Sequence, residues 1–319
     1  MKKHFAIIGA GFSGLAVAWH LLNSPHRESL RVTLFDEKGI GGGASGIAAG
    51  LLHPFSGARS TLNRFGFEGM KATEELLSAV SEKEPLFVRS GILRKATSEI
   101  QRENFIKVAN EFPFLELSSD ELLISSGITV YPATYLAALW KAIQALGADF
   151  EKIEISSLES LKAFDACILC VGGGYERFEE LSPMLLRRTK GQTLDYQWNQ
   201  ELPPLLRPLI AKKYLVMDET QSICIVGSTF ERNFSQEEAD FETAKKEIAP
   251  FAEELFPALK QMPILGCRAG FRVSGPAHLP VAKHLGGKVW TLTGMGSKGL
   301  LYHALFGKQL ATELLAVFF

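Results

Sequence analysis

The sequence predicts an α/β (α+β) fold. It consists of a Rossmann-like domain assembled from discontinuous segments, with a mainly antiparallel β domain inserted into it. The ends and the middle of the chain predict this. Phe5-Ala6-Ile7-Ile8 leads into Gly9-Ala10-Gly11-Phe12-Ser13-Gly14 and then into a helical stretch, Leu15 to Leu22. A second strand, glycine turn and helix closes the chain: Lys288 to Thr293, Gly294 to Gly299, and Leu300 to Val317. Between 190 and 230 the pattern is instead one of alternating strands with charged turns, a β-meander. Residues 1–84, 131–182 and 266–319 are assigned to the first domain, and 85–130 and 183–265 to the inserted one.

The opening glycines have the context that a dinucleotide site needs, a strand before and a helix after. Gly9 permits the tight turn, Gly11 lets backbone approach a pyrophosphate, and Gly14 lets helix and strand pack closely. Phe12 and Ser13 lie at the helix start, where free N–H groups and the positive dipole end favour phosphate. The second strand, Arg31 to Phe35, ends in Asp36-Glu37, about twenty residues on, where a carboxylate takes ribose hydroxyls. Asp36 is favoured because it directly follows the strand, and an acid there argues against a 2′-phosphate and hence against NADP.

The small-residue run from Gly39 to Gly50 leads straight into Leu51-Leu52-His53-Pro54-Phe55, which reads as a loop lining a cofactor rather than a linker. Helical spacing covers Arg64 to Ser81. Leu86 to Lys95 reads as one strand with a bulge at Gly91. Ser98 caps a helix to Glu111. Gly127 to Tyr131 is a strand, and Pro132 starts a helix that Gly147 stops. Short strands follow at Phe150 to Ile155 and Ala166 to Val171. The latter ends in Gly172-Gly173-Gly174, at the strand end where open α/β sheets bind ligands. Strands at Lys190 to Tyr196, Lys213 to Met217 and Ser222 to Phe230 precede a helix from Gln236 to Phe256 and a strand over Gly270 to Val273.

Composition narrows the function classes. Of 319 residues 46% are apolar, enough for a substantial core. The net charge of −1 gives no global pull towards nucleic acid or anionic membrane. No stretch approaches the ~18 apolar residues that span a membrane, and glycines interrupt the only signal-like start, so a cytoplasmic protein is expected. Four cysteines do not form a disulfide framework. Cys167 and Cys170, three apart on a strand, point to opposite faces and read as buried thiols rather than a redox or metal pair. No metal is expected.

At this point the residues resemble a known family, the D-amino-acid oxidase superfamily of flavoproteins, over nearly the whole chain. The similarity is to glycine oxidase and to the oxidase domain of the bifunctional enzyme of tRNA 5-methylaminomethyl-2-thiouridine biosynthesis. It is carried by Gly9 to Gly14, Gly43 to Pro54, Lys190-Gly191-Gln192, Gly227 to Glu231, Gly270-Phe271-Arg272 with His278-Leu279-Pro280, and Gly294 to Leu300. The resemblance implies non-covalent FAD: covalent members use a Cys near the Gly270 segment, and Cys267 falls three residues short. It implies that Ala44, Ser45, Ala49, Gly50 and Leu51 touch flavin and pyrophosphate. With Gly270, Gly294, Gly296, Ser297, Lys298, Gly299 and Leu300 it would wall the flavin, and a helix N-terminus there would stabilise negative charge on the reduced ring.

The implied reaction is oxidation of a CH–NH or CH–NH2 bond next to a carboxylate, on a glycine-like N–CH2–COO⁻ group. The substrate is either a free small amino acid or the carboxymethylaminomethyl uridine of tRNA, the latter making this a stand-alone oxidase. The rival classes are a nicotinamide-dependent dehydrogenase and a non-catalytic flavoprotein. Arg272 is the candidate carboxylate anchor, because a guanidinium binds a carboxylate bidentately. Lys298 stands where glycine oxidases show Arg, giving charge without the fork; a solvated lysine is the alternative. His53 is placed near the substrate amine, or is structural. Arg268 is a supporting partner. For tRNA, Arg187, Arg188, Lys190, Arg207, Lys212 and Lys213 against Asp195 and Glu201 form a net +4 stretch, a phosphate patch or a solvated face.

Overall fold

The computed structural model describes residues 2–57, 59–81, 85–203 and 205–319; Met1 and the expected domain edge at 84 lie outside them. Its six-stranded sheet has the order Val281–Gly286, Val289–Thr293, Ala166–Leu169, Lys3–Ile8, Leu30–Phe35, Asp149–Glu151. All its neighbours are parallel except the first pair. The apolar strands are continuous rather than alternating because both faces are covered. Helices Phe12–Leu22, Gly66–Val80, Pro132–Ala145 and Gly299–Phe318 pack on one face, around Leu15, Leu77, Tyr135 and Leu310. The other face is covered by short 3₁₀ turns carrying Leu161, Phe178 and Leu181.

The second sheet has eight strands in the order Ile264–Ser274, Arg187–Gln197, Ile223–Gly227, Tyr214–Met217, Leu209–Ile210, Ile92–Lys95, Glu121–Ile124, Leu115–Ser118. It is antiparallel but for Leu209–Ile210 beside Ile92–Lys95. Helix Phe241–Leu255 covers one half through Ala244, Ile248 and Ala252. A small sheet of Leu51–Leu52, Ile128–Val130 and Phe87–Val88 joins the two layers. The strand Ile264–Ser274 belongs to the eight-stranded sheet and crosses the expected boundary at 266.

Several elements depart from the sequence reading. Residues 86–95 are not one bulged strand: Phe87–Val88 and Ile92–Lys95 lie in different sheets, and Gly91, at φ +73°, turns the corner. The helix expected from Gln236 starts at Phe241, because Asp240 caps it through Thr243 N–H at 3.1 Å. The strand at 270–273 is the end of an eleven-residue strand. The sequence reading does not assign strands Leu115–Ser118, Glu121–Ile124 and Val281–Gly286; the last two lack clear alternation, and the first alternates over only four residues. Ser98 does cap its helix, accepting from Gln101 N–H at 3.2 Å, and Cys167 and Cys170 do enter separate cores on opposite faces of their strand. Burial pushes the Cys170 thiol up to about 12.

Candidate active site

Two adjoining cavities run along the carboxyl ends of the parallel strands, sharing Ala44, Gly270 and Phe271. The first, about 530 Å³, holds Gly9, Asp36, Glu37, Gly173 and Arg188 in its wall. The second, about 430 Å³, is walled by Phe12, Ser13, Ser45, Ala49, Gly50, Leu51 and Gly172 on one side. Gly191, Thr193, Tyr214, Ser228, Phe230 and Arg272 close its other side, and Gly294, Gly296, Ser297, Gly299 and Leu300 its end.

Local chemistry explains the first cavity. Gly9 takes φ +108°, and a Cβ there would meet the Cys170 carbonyl at 2.3 Å. A Cβ on Gly14 would sit 1.8 Å from the Gly9 carbonyl, so helix and strand touch as the turn requires. Gly11 faces Ser45, whose Oγ would lie 2.8 Å from a Cβ and which accepts from Phe12 N–H at 3.1 Å. Asp36 accepts from Ala10, Lys38 and Gly39 N–H at 2.9, 2.8 and 3.0 Å, which uses most of its acceptor capacity in fixing the turn. Glu37 pairs with Arg177 at 3.0 Å. Arg188 lies over Phe271 at 4.4 Å and pairs with Glu237 at 2.6 Å.

In the second cavity, antiparallel register puts Arg272 opposite Thr189 and beside Gly191, which has no side chain to block the guanidinium. Arg272 Nη2 donates to Ser228 Oγ at 2.6 Å, and no carboxylate lies within 4.0 Å of it among the described residues. Lys213 Nζ donates to the Ser228 carbonyl at 2.8 Å, and burial holds its pKa down. Burial pushes the Tyr214 phenol up to about 12, so it is a neutral donor at physiological pH. Arg268 pairs with Asp195 at 2.6 Å. The Thr193 and Thr293 hydroxyls are buried, unpartnered and in this wall. The final helix begins at the cavity, and its N-terminus has no side-chain cap.

Lys298 and His53 are not brought into the wall. Lys298 Nζ sits 5.8 Å from the Tyr302 ring, and burial lowers its pKa. His53 is 4% exposed, with Nδ1 unpartnered, and burial then Arg94 drive its pKa down to about 3, so it is a neutral interior imidazole. Three of the six cations in the basic stretch are engaged within the chain. Lys190 is 1% exposed and donates to the Gln236 and Glu238 carbonyls, Arg188 is paired, and Lys213 turns inward. Cys267 packs with the core under helix Phe241–Leu255, on the strand face opposite Arg272. Sequence reasoning missed Tyr214 and Ser228. A signal existed for Ser228, which lies in the Gly227 to Glu231 motif; for Tyr214 only the register shows it, opposite Gly227, where a Cβ would strike the phenol at 2.6 Å.

These observations fit FAD. The paired cavities suit an adenosine half and a flat ring half, and the unpartnered threonine hydroxyls await polar atoms. The family model described as FAD dependent oxidoreductase (DAO) matches residues 4–313, and the chain belongs to that family. The chain is 26% identical to the tRNA 5-methylaminomethyl-2-thiouridine biosynthesis bifunctional protein MnmC of Maricaulis maris, over 97% of this chain and 52% of that protein. For the protein of the same description from Idiomarina loihiensis the figures are 23%, 98% and 56%. The chain thus spans about half the length of these relatives. Among solved structures it is similar to glycine oxidase from Geobacillus kaustophilus, with TM-score 0.81 and 20% identity over 99% of this chain and 95% of that one. Iminodiacetate oxidase from Chelativorans sp. gives TM-score 0.77 and 19% identity over 98% and 95%. No helix among the described residues is long and apolar enough to cross a membrane.

Proposed function

We propose that this FAD-dependent oxidoreductase oxidises the C–N bond of a glycine-like N–CH2–COO⁻ group, and that the group is the carboxymethylaminomethyl arm of a tRNA uridine. One observation carries the reaction class: a guanidinium without a carboxylate partner among the described residues, Arg272, lines the cavity beside the neutral phenol of Tyr214. The similarity to tRNA 5-methylaminomethyl-2-thiouridine biosynthesis proteins supports the choice of tRNA.

FAD, when bound, supplies the two-electron acceptor. The substrate R–NH–CH2–COO⁻ loses a hydride from carbon and a proton from nitrogen, giving R–N=CH–COO⁻. Water adds to that carbon, the C–N bond breaks, and R–NH2 and glyoxylate leave. Arg272 takes both carboxylate oxygens in its planar fork, fixing the CH2 as well as the charge. Tyr214 O–H donates a further hydrogen bond to the carboxylate. The positive guanidinium of Arg272 in the wall disfavours a protonated amine, so the nitrogen enters with its lone pair free. The Gly299–Phe318 N-terminus places positive dipole at the end where negative charge gathers. His53 is not required as a base, consistent with its burial.

The test is anaerobic bleaching of the flavin by sarcosine, glycine and tRNA bearing the carboxymethylaminomethyl group, with glyoxylate measured as product. Bleaching by the tRNA with loss of the carboxymethyl group is expected. Bleaching by glycine alone would transfer the function to a free amino acid, and no bleaching by any of them would refute the reading.

A further inference from the structure

We propose that the mouth of the second cavity is a nucleobase platform, built on Phe230 and flanked by cations, that takes a base of a single-stranded RNA loop. The inference rests on the tRNA half of the function above.

Phe230 lines the cavity that holds Arg272, yet is 62% exposed. It stands on rigid backbone. Thr229 beside it is fully buried; its hydroxyl accepts from Gln192 N–H at 2.9 Å and donates to the Glu231 carboxylate. Lys190 and Glu231 exchange backbone hydrogen bonds of 2.9 Å in each direction. A large ring held open to water by fixed neighbours on both sides is a preformed stacking surface. It exposes apolar area that a covering ring would remove from water.

Cations accompany it. Arg232, exposed, lies with Cζ 5.5 Å from the Phe230 ring centre. Phe251, 37% exposed, has Lys212 Nζ at 4.7 Å and Lys213 Nζ at 6.0 Å. Lys213 also reaches the Ser228 carbonyl, and Ser228 Oγ takes Arg272, so the surface is continuous with the anchor inside. Glu231, the carboxylate nearest in sequence, is turned inward to Thr229 and Gln192. Exposed aromatic rings paired with lysine and arginine are the chemistry of single-stranded RNA binding: the base stacks on the ring and the phosphate takes the cation. With its carboxylate on Arg272, a substrate arm extends outward, and the base carrying it or its neighbour meets Phe230. A free amino acid, consumed within the cavity, would leave the platform unused.

The experiment uses FAD-loaded protein and a fluorescein-labelled RNA stem-loop with uridine in its loop, read by anisotropy over a salt series. Phe230→Ala is expected to weaken binding about tenfold with the salt slope unchanged, since stacking releases no counterions. Phe230→Trp should bind at least as well as the parent. Arg232→Ala should lower the log–log slope by about one. Melting temperature and flavin spectrum, recorded on each variant, report the fold, which an exposed position should not disturb. Equal affinity for parent and Phe230→Ala, a Trp variant no better than Ala, or no binding by the parent would each overturn the platform. Bleaching of the parent's flavin by sarcosine is scored separately. If the modified tRNA, glycine and sarcosine all fail to bleach it while Phe230 still governs RNA binding, the reaction is wrong and the platform stands; the converse sinks the platform alone.

Discussion

Replacing Arg272 with Ala isolates the anchor. The side chain lies in a cavity wall, bonded to Ser228 Oγ at 2.6 Å and, among the described residues, without an opposing carboxylate. Its loss leaves the substrate carboxylate with Tyr214 in the wall, and Lys213 behind it on the Ser228 carbonyl. A unit charge pair at about 4 Å and an effective dielectric near 20 is worth about 4 kcal/mol. Breaking a buried pair typically costs ~3–5 kcal/mol, and Lys213 remaining nearby puts the expectation at the lower end. At about 1.4 kcal/mol per decade this is a loss of roughly a hundredfold in kcat/KM. FAD content should be unchanged, because the cavity end formed by Gly296 to Leu300 and the glycine turn are untouched. Arg272→Lys should recover part of the loss, since an ammonium keeps the charge without the fork. The assay is stopped-flow flavin reduction by the tRNA substrate and by sarcosine, with bound flavin quantified after acid release. Near-parental reduction by Arg272→Ala, or loss of flavin with the substrate constants intact, would refute the anchor.

Gly11→Val should displace Ser45, whose Oγ lies 2.8 Å from the new Cβ, uncap Phe12 N–H and yield largely flavin-free protein; full flavin occupancy would contradict this. Lys190→Met leaves the Gln236 and Glu238 carbonyls without their donor, so the 236–240 wall should loosen. FAD dissociation measured by fluorescence should then be faster, at a stability cost of roughly 1–3 kcal/mol. Tyr135→Phe removes the 2.7 Å hydrogen bond to His303 Nε2 and should lower the melting temperature by an amount equivalent to roughly 1 kcal/mol, without changing the flavin spectrum. Burial lowers the pKa of His53 to about 3 and of His303 to about 4, against 6.5 unfolded. The unfolded chain therefore binds these protons first as pH falls. The stability of the neutral forms is complete above 6.5 and lost as pH falls towards about 3 for His53 and about 4 for His303, by roughly 2 kcal/mol per histidine at pH 5. A melting temperature flat from neutral pH to pH 5 would show that these imidazoles are not buried neutral.

What the sequence determined by itself is local. Strand, glycine turn and helix at 3–22 and again at 289–318 are legible because adjacent residues make them: an apolar run, glycines that tolerate close approach, and a helical period. The Ser98 cap, the Pro132 helix start and the opposed burial of Cys167 and Cys170 are of the same kind, read from spacing alone. Family resemblance added the cofactor and Arg272. Only the tertiary structure decided what each face meets. Periodicity says that 86–95 is extended, not that Phe87 and Leu93 pair with different sheets. Charge counting finds six cations between 187 and 213; pairing places Lys190 inside, Arg188 on Glu237 and Lys213 against the Ser228 carbonyl, which leaves Arg187, Arg207 and Lys212 of the six. His53 shares its loop with Leu51, yet Leu51 faces the cavity and His53 is sealed beside Arg94. Tyr214 and Arg272, far apart in the chain, meet around Ser228 because the paired strands set Gly191 against the Arg272 guanidinium and Gly227 against the Tyr214 phenol, with no side chain at either position to intervene. A sequence records which residues an element can turn outward, and the non-local register of the eight-stranded sheet chooses what they touch.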